Sequence, residues 1–335
     1  MSYKIDSFIK KLVLNMSALI VKQAYIPSML EDLINNQYKM IDLVEAQGIT
    51  DNEEILNNTE IMITNGEAKV GKDLIDKYNN LKLIADFGVG YDGIDVNYAV
   101  KKGIKVTHTP GVLTDDVADL GVGLLIALSR EIPKADKFVK YGKWQELGMG
   151  SFPWTHKVSG SRVGIVGMGR IGRAIAKRLS AFDVTIGYCN QSKVDNENYL
   201  YFSSLVDLAS FSDFLVVCVP GIKENFHLIN KNVLKALGAS GALINISRGS
   251  VVDEEYLTGA LINKEIRGAA LDVFEHEPYV SDKLRNLDNV ILTPHMASAT
   301  WETRKAMAQL VFDNVTAFIQ GKELITPVPE CFKVK

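Results

Sequence analysis

The sequence predicts an α/β protein built as two doubly wound parallel-sheet domains, and three observations carry that prediction. Short apolar runs of about four residues alternate with helical stretches along almost the whole chain, which is how buried parallel strands joined by crossover helices read. A glycine-rich turn, Gly167 to Gly172, stands directly after one clean strand and opens a helix. The chain has 335 residues, 47% of them hydrophobic, which is enough to bury a large core and is the length of two ordinary domains.

In chain order, the strands of the first domain are Ala18-Leu19-Ile20-Val21, Ile61-Met62-Ile63-Thr64, Leu83-Ile84-Ala85-Asp86 and Ile104-Lys105-Val106. A long helix follows, roughly Asp115 to Arg130, capped by Thr114-Asp115-Asp116 and rich in Gly and Ala, which permit close packing. A polar, Gly-containing connection leads to Ser161 and then to Arg162-Val163-Gly164-Ile165-Val166, the first strand of the second α/β unit. Strands at Val184 to Tyr188, Phe214 to Val219, Ala242 to Ile246, Gly268 to Asp272 and Val290 to Thr293 complete a six-stranded parallel sheet. A helix from about Trp301 to Gln320 comes next, and the tail Leu324 to Pro329 has no strong pattern. This divides the chain into an extension (1–15), one domain of 16–108 with 299–335, and a second of 109–298. In the extension, Ile5, Phe8, Ile9, Leu12 and Val13 recur at helical spacing beside Lys4, Lys10 and Lys11. It resembles a weak amphipathic presequence but has neither arginine nor a cleavage-like small-residue site, so it reads as an added surface helix.

Composition excludes several classes. The formal charge of −3, with Lys and Arg spread along the chain, leaves no broad basic surface for nucleic acid. Apolar segments such as Phe214 to Val219 and Val117 to Leu128 are too short or too interrupted to span a membrane. Cys189, Cys218 and Cys331 are odd in number and lack metal-ligand spacing, which fits reduced thiols in the cytoplasm and no metal site.

Two Gly-x-Gly-x-x-Gly matches occur. In Gly167-Met168-Gly169-Arg170-Ile171-Gly172 the strand-to-helix setting aims backbone N–H groups and the helix dipole at a pyrophosphate. The other, Gly88-Val89-Gly90-Tyr91-Asp92-Gly93, precedes a short helix, Ile94 to Lys102. It is either a tight turn or a pair of free amides for a carboxylate. About twenty residues past such a fingerprint, NAD enzymes place an acid on the ribose hydroxyls. Here the strand ends Tyr188-Cys189-Asn190-Gln191-Ser192-Lys193 with no carboxylate. Asn190, Ser192 and Lys193 can instead hold a 2′-phosphate, so NADPH is the expected cofactor, with NADH possible; the alternative is an ordinary polar loop.

Arg248, Glu277 and His295 each follow a strand end, on the carboxyl edge where open α/β sheets bind ligands. A guanidinium there can grip the carboxylate and adjacent carbonyl of a 2-oxo acid. A histidine paired with a carboxylate, which favours the imidazolium form, can protonate that carbonyl as hydride arrives. The other four histidines, His108, His156, His227 and His276, read as core or surface residues.

With these residues in place, the chain resembles the D-isomer-specific 2-hydroxyacid dehydrogenases from Met16 to about Pro329. The matching segments are Gly88 to Asp95, Thr109 to Thr114, Val166 to Gly172, Ser247-Arg248-Gly249 with Val252-Asp253, and Leu271 to Pro278 followed by Pro294-His295. The resemblance implies Rossmann- or flavodoxin-like domains: a substrate-binding one (16–108 and 299–335), a dinucleotide-binding one (109–298), and an active site in the cleft between them. Arg248, Glu277 and His295 would be catalytic, and the amides of Val89 and Gly90 would hold the substrate carboxylate. Cofactor contacts would fall at Thr114, Gly169, Arg170, Ile171, Asp272 and Ser298, and the nucleotide domains would form a homodimer. Within the family the likeness is greatest to glyoxylate, hydroxypyruvate and 2-oxogluconate reductases and to hydroxyphenylpyruvate reductases. A nucleotide-sensing corepressor on the same fold is the rival from another class, since fold alone does not give function.

Overall fold

The computed structural model describes residues 18–44, 52–194 and 198–332. It divides into two compact units, one running to Leu113 and resuming at Thr300, the other Thr114–Ala299. The extension 1–15 lies outside the described residues.

The first unit is a five-stranded parallel sheet of β1 (Leu19–Lys22), β2 (Met40–Asp42), β3 (Thr59–Thr64), β4 (Leu83–Asp86) and β5 (Lys105–Thr107), in the order β2-β1-β3-β4-β5. β1 and β4 are buried at every residue and β3 at all but one, as expected of strands covered on both faces. The sequence reading missed β2. Its three residues are half-buried, so it offers neither a continuous apolar run nor a clean alternation. It is joined to β1 by chemistry rather than by apolar pattern, because the buried Lys22 pairs with Asp42 and, at 2.7 Å, with Glu31. The patternless tail is equally ordered. Thr107 and Pro327 form an antiparallel bridge, and the fully buried Asn314 accepts from the N–H groups of Ile325 and Thr326 at 3.0 Å each.

The second unit has seven parallel strands rather than the six expected: β6 (Arg162–Val166), β7 (Thr185–Cys189), β8 (Leu200–Phe202), β9 (Phe214–Val217), β10 (Ala242–Asn245), β11 (Gly268–Leu271) and β12 (Val290–Leu292). Their order is β12-β11-β10-β9-β6-β7-β8, so the chain winds outward from β6 in both directions and reverses between β6 and β9. Such a switch point is where open α/β sheets bind ligands. The missed strand, β8, is a three-residue edge strand with no buried residue. The helix Thr114–Ser129 packs closely on the sheet. A side chain at Gly121 would stand 3.1 Å from Ile246 and 3.3 Å from Ile175. The connection that follows, read from the sequence only as polar and Gly-containing, holds the helices Ile132–Lys140 and Lys143–Leu147. Neither buries a residue, so no core-facing pattern marked them.

Candidate active site

The glycine turn after β6 uses each of its three glycines for a different purpose. Gly167 has φ +97, and a Cβ there would press on Val219 and the Cys218 backbone. Gly172 lies against the Gly167 carbonyl, so a side chain would separate helix from strand. At Gly169 a Cβ would meet nothing within 4 Å. That residue is exposed and N-caps the helix Arg170–Leu179 without a side-chain cap hydrogen bond. Division of labour among turn, close approach and helix packing is what a dinucleotide pyrophosphate requires. Arg170 is exposed and Ile171 half-buried at the mouth of this turn. Thr114 opens its own helix, half-buried.

Past β7, Asn190 has a task the sequence did not reveal. Its Oδ1 accepts the Met168 N–H at 2.8 Å, tying the strand end to the glycine turn. Ser192 and Lys193 are exposed in the loop that follows, whose return is shaped by the Val194 N–H donating to the Tyr188 hydroxyl at 3.0 Å. Burial pushes the Cys189 thiol up and the Cys218 thiol up to about 12, the opposite of an activated nucleophile.

Arg248, Glu277 and His295 stand on loops after three adjacent strands, β10, β11 and β12. Asn245, fully buried at the end of β10, shapes the first loop. Its Oδ1 accepts from the Ser247 N–H (3.1 Å) and hydroxyl (2.8 Å), and its Nδ2 donates to the Arg248 carbonyl at 2.9 Å. Gly249 then lies directly on the backbone of Phe274 and Glu275, where no Cβ fits. The Arg248 loop therefore seats on the loop that carries Glu277.

Glu277 Oε1 accepts the Phe274 N–H at 2.8 Å, and Oε2 meets His295 Nδ1 at 2.8 Å. Burial pushes this carboxyl up, but the His295 hydrogen bond and charge, the Phe274 N–H and the Arg248 guanidinium outweigh it. They hold Glu277 below the usual carboxylate range and so ionised near neutrality. His295 is a non-glycine residue at φ +51, a conformation costing about 1–3 kcal/mol that persists only where its surroundings enforce it.

Asp272 does the enforcing. The backbone N–H of His295 donates to the Asp272 carbonyl at 2.8 Å. The Asp272 carboxylate, fully buried, accepts from the Thr293 hydroxyl (2.6 Å) and from the N–H groups of Met296 and Ala297 (2.9 Å each). Expected among the cofactor contacts, Asp272 thus spends its carboxylate within its own loop. Sequence reasoning missed the organising roles of Asp272 and Asn245. The available signal was a polar residue ending an apolar strand. Ser298 follows the loop, half-buried.

In the first unit, Val89 and Gly90 sit half-buried in the loop after β4. Neither N–H donates to a backbone carbonyl among the described residues.

A doubly wound nucleotide unit with an open glycine turn, and an Arg, Glu and His gathered on its carboxyl edge, define a nicotinamide-dependent oxidoreductase. Residues 122–297 match the model of the D-isomer specific 2-hydroxyacid dehydrogenase NAD binding domain, and the chain belongs to that family. It is 50% identical over 267 residues to a hydroxyphenylpyruvate reductase of Plectranthus scutellarioides, covering 80% of this chain and 84% of that protein. It is also 47% identical over 272 residues to a glyoxylate/hydroxypyruvate reductase of Arabidopsis thaliana, covering 81% and 86%. Among solved structures, the NADPH-dependent glyoxylate/hydroxypyruvate reductase of Sinorhizobium meliloti, in complex with NADP and malonate, superposes with TM-score 0.88 at 39% identity. That match covers 94% of this chain and 98% of the other.

Proposed function

We propose that this protein reduces a small 2-oxo acid, glyoxylate or hydroxypyruvate, to the D-2-hydroxy acid with NADPH. The observation that carries the reading is the Arg248–Glu277–His295 cluster, with its 2.8 Å His–Glu contact and its strained histidine backbone. When bound, the nicotinamide supplies a hydride to the carbonyl carbon. His295 donates its proton to the carbonyl oxygen, completing the hydroxyl, and takes it back in the reverse direction. Ionised Glu277 orients the ring and stabilises its protonated form. Arg248 meets carboxylate and carbonyl together through its planar fork, and the Val89 and Gly90 amides take the carboxylate. Gly167, Gly169, Gly172, Arg170, Ile171, Thr114 and Ser298 line the cofactor's path. The Asn190 amide with Ser192 and Lys193 receives a 2′-phosphate.

Reduction of an aryl pyruvate is the second reading, favoured by the 50% identity to a hydroxyphenylpyruvate reductase. We also infer a homodimer. The segment after Glu131 leaves Leu147, Met149 and Trp154 exposed, Trp154 at 98%, and apolar surface of that kind is ordinarily covered by a partner.

Initial rates of NADPH and NADH oxidation with glyoxylate, hydroxypyruvate and 4-hydroxyphenylpyruvate test the reading. Turnover favouring the small acids with NADPH supports it. Preference for the aryl acid selects the second reading, and tight cofactor binding without turnover on any of them contradicts both. Cys189→Asp places a carboxylate where it repels a 2′-phosphate and should shift the ratio of kcat/KM toward NADH. An unchanged ratio would remove that position from cofactor choice.

A further inference from the structure

The loop carrying Val89 and Gly90 is tied down by the two residues that follow β5. The Thr109 N–H donates to the Gly88 carbonyl at 2.7 Å, and His108 Nδ1 lies 3.0 Å from the Val89 carbonyl oxygen. A carbonyl oxygen only accepts, so the proton of this bond is on Nδ1 and the ring is the donor. These two carbonyls belong to the peptide groups whose other ends are the N–H groups of Val89 and Gly90. In a planar trans peptide, holding the oxygen from one side fixes the N–H on the opposite side. His108 and Thr109 therefore set the direction of two consecutive donors without occupying them.

His108 is itself held. Its backbone N–H donates to the Thr326 carbonyl at 3.2 Å, and its carbonyl accepts from the Thr326 hydroxyl at 2.6 Å. The Tyr91 ring meets the imidazole edge-on at 5.1 Å, and the Tyr91 hydroxyl reaches Glu330 at 3.3 Å.

We propose that His108 is a positioning residue for substrate capture. Its Nδ1–H holds the Val89–Gly90 peptide so that the Gly90 N–H faces the carboxylate of the 2-oxo acid. The inference rests on the reading above that the Val89 and Gly90 amides take that carboxylate. A hydrogen bond on the carbonyl also polarises the peptide and strengthens its N–H as a donor. Because the carboxylate keeps its charge through the reaction, the contribution is uniform binding and belongs in KM rather than kcat.

Two substitutions separate this role from simple packing. His108→Phe keeps a ring against Tyr91 but removes the donor; His108→Asn removes the ring but can return an N–H. With glyoxylate at saturating NADPH, His108→Phe should raise KM about tenfold and leave kcat within about twofold, the size of one lost hydrogen bond. His108→Asn should stay within about threefold of wild type. The Kd for NADPH should be unchanged in both, since the glycine turn lies in the other unit. Wild-type KM in His108→Phe, a loss confined to kcat, or a raised KM in His108→Asn overturns the proposal, and if His108→Phe does not fold the Asn variant decides alone. A wild-type protein inert toward every 2-oxo acid removes the underlying reading and this proposal together. Wild-type saturation with KM unchanged in His108→Phe removes this proposal only.

Discussion

At the residue scale, the loops of the site are organised by buried polar side chains at the strand ends. Asn245 and Asp272 are buried polar residues at the ends of apolar strands, and each satisfies several donors or acceptors of the loop that follows. A buried polar group must be paired, and here the pairing fixes the chain direction at Arg248 and His295. Arg248→Lys keeps the charge but loses the fork, so kcat/KM for the 2-oxo acid should fall by about 10²-fold, on the scale of one misplaced substrate contact. Steady-state kinetics with unchanged kcat/KM would remove the role. Glu277 supplies a pH test. Its carboxyl is held below the ordinary value in the folded state, so its contribution to stability is full above the ordinary carboxylate pKa and is lost as pH falls through the folded value. Glu277→Gln should therefore lose less Tm than wild type between about pH 5 and 3. Parallel acid limbs in thermal melts would contradict that assignment. Arg248, Glu277 and His295 were legible in the sequence because each follows a strand. Asn245 and Asp272 were not read as organisers because sequence spacing does not tell which backbone groups a buried side chain will meet.

At the scale of elements, the central strands and the glycine turn were legible because continuous apolar runs and a strand-glycine-helix succession are strong local signals. The edge strands β2 and β8 and the helices at 132–147 were not, because none of them has a buried residue and their order comes from neighbours. The glycines give a paired prediction. Gly169→Ala should leave Tm close to wild type, since a Cβ there meets nothing, yet weaken NADPH binding because it would crowd the pyrophosphate. Gly249→Ala should lower stability by about 1–3 kcal/mol or more, since its Cβ would overlap the Phe274 backbone. Melting curves and NADPH titrations of both variants check this. A destabilised Gly169→Ala, or a neutral Gly249→Ala, would contradict the described turn and loop.

At the scale of the whole molecule, the two parallel-sheet units and the family were readable from pattern and motif. A homodimer was implied only by the family resemblance, and the surface that would form it was not readable, because exposed apolar residues look like core in a sequence. If the exposed segment after Glu131 is a dimer surface, sedimentation should give twice the monomer mass, and Trp154→Glu should shift the equilibrium toward monomer; a monomeric wild type would remove that inference. The proposed reaction depends on His295 protonating a 2-oxo acid as hydride arrives. The most direct test is the reaction of hydroxypyruvate with NADPH, following cofactor consumption and the chirality of the glycerate formed, in wild type and His295→Gln. The expected result is D-glycerate in step with NADPH consumed, and a His295→Gln rate lower by roughly 10² to 10⁴, the worth of general acid catalysis, with NADPH still bound. L-glycerate from the wild type, or a His295→Gln rate within a few-fold of it, would contradict the mechanism.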